Sequence, residues 1–122
     1  MKLRRFDEPD KTTLFHLGRV DLVQLGNLTL GRACYEPGWR WSTHVGTATG
    51  ERWCQTAHVG IVLSGRNRVE MQDGRAVEMG PGDIFDIGPG HDSLVIGDEP
   101  YESLHLVGAE HYVRSSGAGA ED

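Results

Sequence analysis

Basic residues are in short supply in this chain. Its 122 residues hold 12 Lys and Arg against 18 Asp and Glu, for a formal charge of −6 at pH 7. Nucleic acids and anionic membranes recruit an excess of Lys and Arg, so neither is expected as a partner. The charges are also mixed along the chain rather than gathered in blocks. No apolar run approaches the length that crosses a bilayer, and the opening Met-Lys-Leu-Arg-Arg leads into polar sequence instead of a signal-peptide core, which makes the cytoplasm the expected location. Cysteine is scarce too: Cys34 and Cys54 are the only two, and without an export signal they are expected to stay reduced. Several catalytic signatures are missing: no Gly-x-Ser-x-Gly elbow, no His-Glu-x-x-His, no Walker lysine and no Cys-x-x-Cys. Glu51 and Asp86 read as solvated charges. If the chain is an enzyme, a metal is then expected to carry the chemistry.

Turn-formers, by contrast, are plentiful. Seventeen glycines and five prolines interrupt the apolar segments every few residues. Strand-like segments fall at 20–26, 27–36, 39–45, 57–65, 66–72, 75–79, 83–88, 92–97 and 101–109, several alternating apolar with polar residues. Asp73-Gly74 between two of them is a hairpin turn. Only 9–17 has room for a turn or two of helix. Short strands at this spacing predict an all-β antiparallel sandwich or barrel of one domain, with the small, polar tail 114–122 disordered.

The densest cluster of turn-formers, 80-GPGDIFDIGPGHDSLVIGDEP-100, surrounds a single histidine, His91. Gly38 is followed after five residues by His44. His58 is followed after six by Gly65, and Gly82 after five by Gly88-Pro89-Gly90-His91. In this spacing, and in the wording HVGIVLSGRNRVEM, the chain resembles the cupin superfamily, in particular its small single-domain bacterial members. The resemblance implies an antiparallel jelly-roll (double-stranded β-helix) barrel over 27–113, with 1–26 as an N-terminal strand or arm packed on it. It also implies a metal site inside the barrel and pairing as a homodimer. The motifs are modified here: Gly46 stands at the second histidine of the first motif, and His58 stands at its glutamate. Ser93 stands where the second motif keeps its histidine, with His91 two residues earlier. The segment 47–57 is longer than the pattern.

Alternation along a strand gives His91 and Ser93 one face, and His58 shares its face with Gly60, Val62 and Ser64. His44, His58 and His91 are thus the expected metal ligands, for iron, zinc, manganese or nickel. Cys54 and His105 are candidates for an additional ligand, and Ser93 and Trp53 for the pocket, with Trp53 as a lid. Each has a plainer alternative: a buried neutral histidine for His58, a turn cap for His91, a small apolar residue for Cys54, and packing for Trp39 and Trp41. The expected function is a small metal-binding cupin acting on a small molecule by oxygenase, isomerase or lyase chemistry. The alternative is a non-catalytic small-molecule-binding or sensor domain with a degenerate site, and a weaker third option is a dimerisation module.

Overall fold

The computed structural model describes residues 1–107, so the 114–122 tail lies outside the described residues, as do 108 and 109 of the last expected strand. Nine strands are present: β1 (Lys11–Phe15), β2 (Gly18–Leu25), β3 (Leu28–Tyr35), β4 (His58–Ser64), β5 (Arg66–Met71), β6 (Ala76–Met79), β7 (Ile84–Ile87), β8 (His91–Ile96) and β9 (Tyr101–Val107). Two single turns of helix, α1 (Trp41–His44) and α2 (Gly46–Thr49), interrupt the run between β3 and β4. The strands form a six-stranded sheet in the order β1-β2-β3-β9-β4-β7 and a three-stranded sheet in the order β6-β5-β8, antiparallel throughout.

Residues 1–26 supply two strands of the larger sheet. The segment 9–17, read above as room for helix, is extended instead: Lys11 to Phe15 pair with Gly18 to Leu22. Two β-branched threonines and a period-two burial pattern suit a strand, and Phe15 ends it against the Tyr35 ring with centroids 5.9 Å apart. The segment 39–45 departs as well. Arg40 makes a lone bridge to Leu94, after which the chain coils into α1. That helix is started from a distance, because the Ser42 amide donates to the Asp92 carboxylate at 2.9 Å, and this satisfies an amide that α1 itself leaves without a partner.

The core lies between the sheets and is built from the inward phase of each strand, with Val20, Ala33, Val62, Val69 and Val95 all at or below 3% exposure. The expected hairpin is present: the Met71 amide donates to the Arg75 carbonyl, and the Asp73 carboxylate accepts from the Arg75 amide.

Gly60 sits where β4 passes closest to its neighbours. A Cβ there would run into the Leu104 carbonyl and the Phe85 ring. Gly60→Ala is therefore expected to lower stability by about 1–3 kcal/mol through overpacking, read as a fall in the chemical-denaturation midpoint. An unchanged midpoint would show that β4 and β9 can separate freely at this point.

Candidate metal centre and cavity

Four imidazole- or thiol-bearing residues meet at one end of the interior. His58 opens β4, His91 opens β8, and His105 lies inward on β9; they are 8%, 5% and 7% exposed. Cys54, 6% exposed, comes from the stretch after α2. Backbone bonds hold it against the start of β8: the Cys54 amide donates to the His91 carbonyl at 2.7 Å, and the Cys54 carbonyl accepts from Gly90 at 2.7 Å and from His91 at 3.2 Å. Gly90 enters β8 at φ +88°, a left-handed turn conformation that glycine adopts without strain.

One ligand atom each from Cys54, His58 and His91 lies within 4.8 Å of the other two. The Cys54 Sγ is 3.8 Å from His58 Nε2. His91 Nδ1 is 2.8 Å from the Gly88 carbonyl oxygen, which can only accept, so this nitrogen carries the proton and Nε2 keeps its lone pair. The His105 ring stands edge-on to the His58 ring, with centroids 5.1 Å apart, and its Nε2 is 3.1 Å from Ser103 Oγ.

Burial dominates the electrostatics. It pushes the His91 pKa down, against the opposing pull of the Gly88 carbonyl and the Asp92 charge. It pushes His105 down to about 4, with His91 adding in the same direction. The same desolvation raises the Cys54 thiol, so this sulfur favours its protonated form until a cation is present.

The cavity beside the cluster is lined by His58, His91 and His105, by Ser93 and Ser103, by Asn67, by the rings of Tyr35, Trp39, Trp41, Phe85 and Tyr101, and by Val69, Met79 and Ile87. Trp39 stacks on Tyr35 with centroids 3.8 Å apart. Ser93 does share the inward face with His91.

His44 is not in this group. Read as part of a strand it points into the barrel, but α1 turns it toward His16, with ring centroids 5.2 Å apart, and its Nδ1 lies 3.0 Å from the Arg40 amide. Trp53 is not among the lining residues either; the Arg52 guanidinium sits 4.1 Å above its ring. Sequence reasoning passed over Asn67, and gave Asp92 only the role of satisfying nearby backbone amides, which it does for Ser93. Asn67 had a visible signal, being a polar side chain in the inward phase of Asn67, Val69 and Met71. The wider role of Asp92 had none, because its other partners, Arg40, Ser42 and Arg52, are 40 to 52 residues away in the chain.

No known family profile matches the chain, and no curated protein does. Solved structures do. A structural-genomics protein of unknown function from Rhizobium leguminosarum superposes with a TM-score of 0.58 at 25% identity, over 88% of this chain and 97% of that one. A cupin-2 domain from Rhodospirillum rubrum gives 0.57 at 19%, over 89% and 68%. An oxalate decarboxylase from Lactobacillus farciminis gives 0.58 at 19%, over 82% and 30%. The chain folds as a cupin. Within this fold the interior histidines come from β4, β8 and β9, and the thiol comes from the connection between α2 and β4.

In metal-free protein, His105 generates a pH dependence of known sign. Its folded pKa, about 4, lies below the ordinary 6.5, so the unfolded chain takes up a proton that the folded chain refuses. The stabilisation is complete above pH 6.5 and is lost as pH falls toward 4. Its size is about 3 kcal/mol. His105→Gln is expected to flatten this part of the stability curve in denaturant titrations at stepped pH. An equally steep curve in the variant would assign the effect to other groups.

Proposed function

We propose that this cupin binds one divalent d-block ion through Cys54, His58 and His91, beside a cavity that admits a small molecule. The observation that carries the reading is the meeting of three buried ligand atoms, each within 4.8 Å of the other two. The donor set fits such an ion. His91 presents an unprotonated Nε2, and a cation would draw the proton from the buried thiol. Two imidazoles with one thiolate suit zinc, iron or nickel better than manganese, which prefers oxygen donors. His105, beside His58, supplies a further imidazole or a hydrogen-bonding neighbour, held by Ser103.

A bound ion would act as a Lewis acid on a carbonyl or hydroxyl oxygen. The chain's own part is to hold the donors, exclude bulk water and orient the ligand against aromatic rings. Oxygenase, isomerase and lyase chemistry are the candidate reaction classes; a decarboxylase and DMSP lyases are among the proteins of similar fold. The second reading, a binding or sensor domain, is favoured by the lack of any carboxylate among the cavity-lining residues that could serve as an acid or base.

Elemental analysis of untagged protein is expected to find close to one ion per chain. Cys54→Ser, His58→Ala and His91→Ala should each remove it, and His44→Ala should keep it. Occupancy should fall below pH about 6, as protons compete for imidazole. Wild type that stays empty after reconstitution with zinc, iron or nickel would overturn the assignment.

We further propose a homodimer through the outer face of the larger sheet. Ile61 pairs with both Ile84 and Leu104 there, and Ile84, Leu63 and Leu106 are 78%, 45% and 41% exposed, an apolar strip that a second copy would cover. Light scattering should give twice the chain mass, and Ile84→Lys should halve it; a wild-type monomer would discard the interface.

A further inference from the structure

The cavity has a second polar feature, away from the imidazoles. Across β5 and β8, Met71 is level with His91 while Asn67 is level with Val95, which places Asn67 four residues further along the strand, about 13 Å. Trp39 reaches the same level, since its carbonyl accepts from the Val95 amide at 2.9 Å. Asn67 and Trp39 are each 2% exposed, and both line the cavity. Asn67 Oδ1 and Trp39 Nε1 have no hydrogen-bond partner among the described residues. Buried polar atoms are nearly always paired, so two unpaired ones in the wall of one cavity point to a missing third group.

Their chemistry limits what that group is. The amide oxygen only accepts and the indole N–H only donates, whereas a hydroxyl does both. No Lys, Arg, Asp or Glu lines the cavity, so nothing in its wall would neutralise a carboxylate, a phosphate or an ammonium. The surface around them at this level is apolar and aromatic: Met79 pairs with Asn67, and the Tyr35 ring, level with Tyr101, stacks on Trp39. The cavity, about 40 Å³ as room for the centre of a water-sized sphere, suits a ligand of a few carbon atoms.

We propose that this end of the cavity is a recognition subsite for a small, uncharged, hydroxyl-bearing molecule, whose hydroxyl donates to Asn67 Oδ1 and accepts from Trp39 Nε1–H. The inference rests on the reading of this cavity as the functional site, but it does not require the ion.

The test uses metal-free protein and two probes of the same carbon skeleton. Propylene glycol carries a CH2OH group where lactate carries a carboxylate. Followed by NMR, the Trp39 indole N–H resonance is expected to shift on adding propylene glycol, and lactate is expected to bind about tenfold more weakly or worse. Asn67→Leu should weaken propylene glycol about tenfold, because the hydroxyl loses its acceptor. Should that variant fail to fold, Trp39→Phe carries the test, read through the remaining tryptophans. A Trp39 resonance unmoved by propylene glycol would overturn the proposal. So would lactate binding as tightly, or an Asn67→Leu protein of unchanged affinity. Metal content is measured separately, so the loss of either reading leaves the other standing or falling on its own result.

Discussion

The carboxylate of Asp92 is fully buried, and it holds the site together. It accepts from Arg40 at 2.6 Å, from Arg52 at 3.1 Å, from the Ser42 amide and hydroxyl at 2.9 and 2.8 Å, and from the Ser93 amide at 3.0 Å. A carboxylate taken out of water costs several kcal/mol unless charge and hydrogen bonds replace its hydration. Two guanidiniums and three further donors do so here. Those donors belong to three segments, the entry to α1, the stretch after α2, and β8, which a few backbone bonds also join. Each segment delivers a cavity or cluster residue next to its contact with Asp92. Trp39 and Trp41 flank Arg40, Cys54 follows Arg52 by two residues, and His91 precedes Asp92. One buried anion thus braces the aromatic wall and β8, beside the backbone pairing that holds Cys54 to His91.

The same alternation sorts charge from neutrality. His91 and Ser93 face the cavity, and Asp92 between them faces the other way, toward the two arginines. Ionic chemistry therefore stays on the outer side of β8 and reaches the interior only weakly: the pull of Asp92 on His91 is outweighed by desolvation. Burial thereby favours the neutral form of His91 and His105, the form of imidazole that binds a metal. It also keeps a thiol that ionises only when a cation compensates it.

How far this was readable in the sequence depended on the distance over which each feature is determined. The strands showed in period-two alternation and in glycine and proline punctuation, both local. His58 and His91 showed because they begin strands at motif spacing. The course of 39–45 did not. Trp39 and Trp41 are two apart, as in a strand, yet the Ser42 amide is claimed by a carboxylate 50 residues away, and the chain coils there instead. His44 leaves the interior as a direct result. Cys54 could be singled out only as lying four residues before His58. What brings it to the cluster is its backbone pairing with His91, and no local pattern reports that.

The cavity also has a direction. Gly31 is level with His105 and Tyr35 with Tyr101 across β3 and β9, in the same sense as Met71 with His91 and Asn67 with Val95 across β5 and β8. Imidazoles therefore collect at one level of the barrel, with the Phe85 ring beside His105, and Tyr35, Trp39 and Tyr101 with the amide at another. The two levels are joined along β9, where Tyr101 is hydrogen-bonded to Ser103, and Ser103 Oγ lies 3.1 Å from His105 Nε2. Burial raises the Tyr101 hydroxyl to about 12 and lowers His105 to about 4, so both are neutral across the physiological range. Tyr101 and Ser103 can each turn a hydroxyl, whereas the role of His105 Nε2 is set by the ring's tautomer; the line thus satisfies buried polar groups without placing a charge in a low-dielectric interior.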